Sequence, residues 1–411
     1  MSRIATTSLT KRQLIIFITL CCLVYFTSYL TRLNYGAAIS EIVNSLQITN
    51  QLAGMAVIGS FIAYGIGQPV FGFLGDILKP RHMIFAGLTA SAICNLLISF
   101  MSNIYLMTFI WSLNGLFQAM LWPPLVRIMA QTLPASNYRK ASVSVVAAAS
   151  VGTILVYLLV PVCIWISGWR LSFIIPAVAG VVVALVWFVR IKEFTAHQPI
   201  VEEKSIEPRA LTKTSTLLIS AGLMPILLVA VFQGALRDGI TTWMPTYIQD
   251  VYEMGTSLSI VSTAVLPVFT ILSVNFARSV QRTAKNELKT STFIWGISLL
   301  ATIFLIPVFS SHAVMSIILM ATITSCMSGI NLMLVSYIPL HFAKFGRVST
   351  ISGILNSFTY IGSALSILGI ATISDHFGWK ATIISWSVIA FAGTFICALY
   401  IRSWRKFTDG D

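Results

Sequence analysis

The sequence predicts an all-α, polytopic membrane protein with twelve transmembrane helices in two six-helix halves, and three observations lead there. The chain has 411 residues, of which 57% are hydrophobic and only 9% charged, against about 25% charged residues in an ordinary soluble domain. So few charges cannot furnish an aqueous surface. Apolar runs of the roughly 20 residues that a helix needs to cross a bilayer recur along the whole chain. No succession of short alternating segments suggests a barrel, and backbone polar groups in lipid must otherwise be satisfied within helices.

The predicted spans fall near residues 14–38, 52–75, 82–100, 103–126, 141–164, 170–190, 215–248, 257–277, 291–309, 313–340, 349–371 and 380–401. The first is too long for a secretory signal and runs past Arg32 without a cleavage site, so it reads as a retained helix. The longest polar segment, residues 190–213, is rich in Lys, Arg, Glu and Pro and reads as a connector on the cytoplasmic side. It divides the chain into an N-terminal half, 1–189, and a C-terminal half, 214–411. A weak repeat supports the division. Gly168-Trp169-Arg170 precedes the sixth span and Gly378-Trp379-Lys380 the twelfth, while Arg32 and Arg237 lie near the ends of the first span of each half. Two repeats about an axis normal to the membrane form a known transporter plan.

The net charge of +13 follows topology. With a cytoplasmic N-terminus and alternating helices, Arg170 and Lys380 fall near the outer face and Arg32 and Arg237 within apolar runs. The other Lys and Arg residues lie on the cytoplasmic side, as the positive-inside rule requires. Both termini are then cytoplasmic and the membrane is a plasma or inner membrane. The basic excess implies membrane lipid as a partner and no nucleic acid. The six cysteines are scattered through apolar runs, the five histidines lack metal spacing, and no phosphate-cradling loop with a Lys-Ser/Thr ending is present. No enzyme, no metal, no cofactor and no obligate protein partner are expected.

The loop after the second span reads Gly72-Phe73-Leu74-Gly75-Asp76-Ile77-Leu78-Lys79-Pro80-Arg81. It resembles the cytoplasmic loop motif of the major facilitator superfamily, which implies the fold of that name. The glycines permit close helix approach, Asp76 can accept hydrogen bonds from a helix end or a basic residue, and Pro80 interrupts the helix. Asp76 and Arg81 are therefore gating candidates. The plainer reading is a turn followed by inward positive charge.

An arginine within a membrane helix costs roughly 2.5 to 3.5 kcal/mol on insertion scales and usually has a cavity, a partner or a task. Tyr25, Tyr29 and Arg32 recur at spacings of four and three, on roughly one helix face. Two phenols and a planar donor fork suit a carboxylate or phosphate. The alternative is an arginine snorkelling to headgroups beside an aromatic belt. Arg237 admits anion binding, structural pairing or headgroup contact. Gly239 and Pro245 follow it and are positions where the helix could loosen or break. Asp238 projects about 100 degrees away from Arg237, a poor same-face partner, and is left to pair across the bundle or to accept a proton. Asn114 and Gln118 in the fourth span, and Ser60, Tyr64 and Gln68 in the second, form polar stripes that either line a cavity or join helices. Asn331, Asn356 and Tyr360 are weaker candidates.

With these residues in view the chain resembles the organophosphate:phosphate antiporter family. Tyr29, Arg32 and Asn34 match its first helix, Asn114 to Pro124 its fourth, and Arg237, Trp243, Pro245, Thr246 and Tyr247 its seventh. The resemblance implies that Arg32 and Arg237 jointly hold a phosphoryl group, with Tyr29 and Tyr64 assisting, and that the ligands are an organic phosphate and inorganic phosphate. A phosphomonoester dianion would nearly neutralise two arginines, whereas an empty, doubly positive carrier would resist reorientation. The chain departs from relatives in lacking a fifth-helix histidine, in placing Gln68 where a lysine is expected, and in having no lysine across 349–371. This leaves Asn114, Gln118 and Asn356 to meet a neutral part of the substrate. The anion:cation symporter family is the nearest alternative, with Thr31 where an acid is common. It implies proton-coupled uptake of a carboxylate or sugar acid, with Asp238 as the coupling acid. A transporter-like sensor is a third reading.

Overall fold

The computed structural model describes residues 9–195, 222–254 and 265–409. Helices make up almost all of them, and there is no strand among the described residues. The predicted connector lies, from residue 196 onward, outside the described residues, as do the beginnings of the seventh and eighth predicted spans.

The helices are α1 (Lys11–Leu46), α2 (Asn50–Ile77), α3 (Pro80–Phe100), α4 (Ile104–Gln118), α5 (Trp122–Thr132), α6 (Ala135–Ser167), α7 (Leu171–Arg190) and the short α8 (Lys192–Thr195). After residue 221 come α9 (Leu223–Tyr252), α10 (Val265–Ala284), α11 (Glu287–Val308), α12 (Ala313–Asn331), α13 (Ile338–Leu340) and α14 (Val348–Asp409). Ten described segments are long and apolar enough to cross a membrane. The two other predicted spans correspond to α10 and to the part of α14 before Gly378, where the backbone leaves the helical region.

Local chemistry sets several boundaries. Thr10 and Gln13 cap α1 reciprocally, and the side chains of Asn103 and Asn286 accept from the first turns of α4 and α11. The fourth predicted span is two helices. Pro123 and Pro124 have no N–H for the carbonyls four residues back, so α4 ends at Gln118 and α5 restarts with proline in its first turn. Pro339 similarly leaves Val335 without its helical donor. The segment Leu332–Tyr337 is a π-helix, and Ser352 Oγ donates to the Val335 carbonyl at 2.7 Å. Gly168 (φ 81°, ψ 176°) and Gly378 (φ 76°, ψ 172°) adopt the same backbone conformation, one that only glycine enters readily. Sequence and backbone therefore repeat together at these two helix breaks.

The chain divides into two compact units. One comprises Met1–Ser60 and Ile77–Thr212, the other Phe61–Asp76 and Lys213–Asp411. In the first, α1 packs on α6 and α7, and α3 on α7 and α4. Tyr35, Trp111, Trp169 and Phe173 form an aromatic core there, with Tyr35 and Trp111 ring centroids 5.2 Å apart. In the second, α9 and α11 pack on α14, and α12 on α10 and α11. The first part of α14 is rich in Ser and Thr because it is an inner helix. Ser349, Thr350, Ser352, Thr359 and Ser363 are all buried, and small residues allow membrane helices to approach closely.

Candidate functional site

In the first unit Tyr25 and Tyr29 stand edge to face at 5.3 Å, and Tyr25 also tilts against Trp122 at 4.6 Å. Both tyrosines and Arg32 are half-buried. The residue before Arg32 organises this region. The Thr31 carbonyl accepts from Asn95 Nδ2 at 2.9 Å and from Asn114 Nδ2 at 3.0 Å, and Thr31 Oγ1 accepts from Gln118 Nε2 at 2.8 Å. Ser91 donates to Asn114 Oδ1 at 2.6 Å and accepts from Gln118 at 2.7 Å, while Asn34 donates to Asn95 at 2.8 Å. Asn114 and Gln118 are buried, and both amides bond to α1, at Thr31, and to α3, at Ser91. They act here as a clamp on the helix that bears Arg32, the helix-joining alternative of the polar stripe. Ser91 and Asn95 escaped the sequence reading although they carry the same signal, two polar residues four apart in an apolar run.

In the second unit α9 runs unbroken through Gly239 and Pro245. Gly239 serves packing instead of a break, since a Cβ there would lie 1.9 Å from Ser366 Oγ. Gln233 fixes the helix from inside, donating to the Met327 carbonyl at 3.0 Å and accepting from Thr359 at 3.2 Å. On this rigid support Arg237 Nε and Nη2 donate to Asp238 Oδ1 at 2.7 Å and Oδ2 at 2.9 Å. The expectation that adjacent residues make poor partners fails because arginine is long enough to wrap across a 100 degree offset. Ser363 Oγ donates to the same Asp238 Oδ2 at 2.5 Å. Arg237 Cζ is 6.0 Å from the Tyr360 ring centroid, Tyr360 packs on Tyr64 at 4.6 Å, and Asn356 Nδ2 donates to Tyr64 Oη at 3.3 Å. The structure thus gathers Tyr64, Arg237, Asp238 and Asn356 in one unit, joined by Tyr360 and Ser363. Gln68 stays out of this network: it is fully buried, and its amide has no hydrogen-bond partner among the described residues.

The loop motif has a definite role within the second unit. Asp76 Oδ1 and Oδ2 accept from the backbone N–H groups of Ser349 at 2.9 Å and Thr350 at 2.8 Å. These are unsatisfied donors in the first turn of α14, where a negative charge also complements the helix dipole. Gly72 makes the approach possible, because a Cβ there would sit 2.9 Å from the Ser349 carbonyl oxygen. Arg81, in the other unit, donates from Nε to the Phe188 carbonyl at 2.8 Å and lies over the Phe188 ring at 3.9 Å. Loss of a side-chain helix cap costs about 0.5 to 2 kcal/mol, so Asp76→Ala should lower the Tm of the purified protein. Asp76→Asn, which keeps one acceptor oxygen, should lose less. Equal Tm values for the wild type and Asp76→Ala would show that this cap contributes nothing.

Comparison with known proteins agrees with this architecture. Residues 21–367 match the Major Facilitator Superfamily. The chain is 29% identical over 172 residues to a protein of Chlamydia trachomatis serovar D named as a probable hexose phosphate transport protein, covering 41% of this chain and 37% of that one. It is 29% identical over 246 residues to the glycerol-3-phosphate transporter of Bacillus subtilis strain 168, covering 55% of each. In both cases the match spans less than two thirds of the relative's own length. Among solved structures, the proton:xylose symporter XylE superposes with a TM-score of 0.73 over 94% of this chain and 96% of that one, at 11% identity, a likeness of fold. With residues 21–367 matched and the helix order in agreement, the chain belongs to the Major Facilitator Superfamily.

Proposed function

We propose that the protein exchanges an organic phosphate for inorganic phosphate by alternating access between two six-helix halves, 1–189 and 214–411, joined by 190–213. In this reading both termini are cytoplasmic and the carrier resides in a plasma or inner membrane. Arg32 and Arg237, one from each half, bind the phosphoryl group. Tyr25, Tyr29 and Tyr64 add hydroxyl donors beside them, and Gln68 and Asn356 meet the rest of the substrate. Asn114 and Gln118 act on the anion through Thr31, by holding the register of α1. Asp76 and Arg81 belong to the gate.

The observation that supports this reading most is the grip of Arg237. Its guanidinium, within a membrane span, already closes both arms on an oxyanion, the Asp238 carboxylate. Charge-assisted, two-armed bonds of this kind suit carboxylate and phosphate alike, so the choice between them rests on the names of the relatives. Uptake of labelled phosphate into vesicles bearing the purified protein, challenged with phosphomonoesters and with sugar acids, separates the two. Inhibition by phosphomonoesters and not by sugar acids is the expected result. Proton-driven transport of the sugar acid, with phosphate ignored, would replace exchange by carboxylate symport.

A further inference from the structure

We propose that Asp238 is a built-in counter-ion that sets the anion selectivity of Arg237, rejecting monocarboxylates and admitting phosphate dianions; the inference rests on the phosphate reading above. An ion pair that stabilises a fold usually joins two elements. This one is between consecutive residues of a single helix, α9, so the charge–charge contact itself lies within one element. What it does is neutralise an arginine in a membrane span, where an uncompensated charge is costly.

The carboxylate is held independently of the arginine. Ser363, on α14, donates to Asp238 Oδ2 at 2.5 Å and is itself buried. The backbones of α9 and α14 are pressed together beside it: a Cβ on Gly234 would lie 1.9 Å from the Thr359 carbonyl oxygen, and one on Gly362 would lie 1.9 Å from the Val231 carbonyl oxygen. When Arg237 turns away, Asp238 keeps its partner on α14. The Arg237 side chain is 21% and that of Asp238 24% exposed, so the pair is reachable by an incoming ion.

Selectivity follows from the competition. An incoming monocarboxylate offers Arg237 the same two oxygens and the same single charge that Asp238 already supplies from the adjacent residue. The resident group wins, because it is tethered and loses little further freedom on pairing. A phosphate monoester brings a charge of about minus 1.5 to minus 2 and three acceptor oxygens, and so outbids a single carboxylate. The empty carrier is also less positive than the two arginines alone suggest.

The test is equilibrium binding of inorganic phosphate and of gluconate, a monocarboxylate, to purified full-length wild type, Asp238→Asn and Ser363→Ala, with folding checked by Tm. A protein whose binding-competent state, here Arg237 released from Asp238, is populated to about one tenth binds its ligand about tenfold more weakly than the intrinsic affinity. Asp238→Asn should therefore tighten phosphate binding by about tenfold and make gluconate binding measurable. Ser363→Ala, which loosens the carboxylate without removing it, should shift both in the same direction by less. Unchanged or weaker phosphate binding by folded Asp238→Asn overturns the counter-ion role and makes Asp238 a group that positions Arg237. Wild type that binds no phosphate overturns the phosphate reading itself, and this inference with it.

Discussion

Arg237→Lys is expected to reduce phosphate exchange by about one to two orders of magnitude while leaving a folded protein. Lysine keeps the charge but offers a compact ammonium in place of a planar fork. In the structure both arms of that fork are used, Nε and Nη2 on the two oxygens of one carboxylate. A charge-assisted hydrogen bond contributes about 1.5 to 3 kcal/mol, and the loss of one arm within that range corresponds to the stated fall. The substitution also loosens the hold of Asp238, which offsets part of the loss and keeps the effect below that of removing the charge. Arg32→Lys should fall by a similar amount, because Thr31, Asn95, Asn114 and Gln118 fix the helix beneath that arginine. Initial exchange rates in vesicles, normalised to folded protein, measure both. Normal exchange by both variants would dismiss the two arginines as phosphate ligands.

Gly234→Ala is the substitution with the largest expected structural effect. The added methyl would meet the Thr359 carbonyl oxygen at 1.9 Å and the carbonyl carbon at 2.7 Å. Both are backbone atoms, which cannot rotate away as a side chain does, so α9 must move off α14. Overpacking of this kind costs about 1 to 3 kcal/mol and sometimes more. The displacement reaches Arg237 one turn along the helix, and a misplacement of about 1 Å at a reacting group can cost about a hundredfold in rate. A lower folded yield and a lower exchange rate per folded molecule should appear together. Gly362→Ala, which meets the Val231 carbonyl from the other helix, should behave alike. Normal yield and exchange in both would mean that α9 and α14 have room to separate.

Hydrophobic run lengths made the helix order legible in the sequence, because lipid leaves a chain few other ways to satisfy its backbone. The break in the fourth span was missed: run length fused α4 with α5 although Pro123 and Pro124 stand at the join. The loop motif marked Asp76 as an acceptor for a helix end or a basic residue; which of the two it meets, and which helix it caps, was not readable. The Arg237–Asp238 pair was hidden by a rule about helix faces that treats side chains as short. Gly239 read as a breaking point because the sequence does not reveal which neighbour presses on a glycine, here Ser366. Ser363 and Asn95 were obscured for the same reason. A serine or asparagine in an apolar run announces a hydrogen bond and leaves its partner unnamed.

The central claim is obligatory exchange at a phosphate site, and counterflow tests it most directly. Vesicles containing the purified protein are loaded with inorganic phosphate or left free of it, and uptake of labelled glycerol phosphate is followed in each. Uptake that requires internal phosphate, and that falls in Arg32→Lys and Arg237→Lys, is the result predicted. Equal uptake in phosphate-free vesicles, or uptake driven by a proton gradient alone, would contradict it.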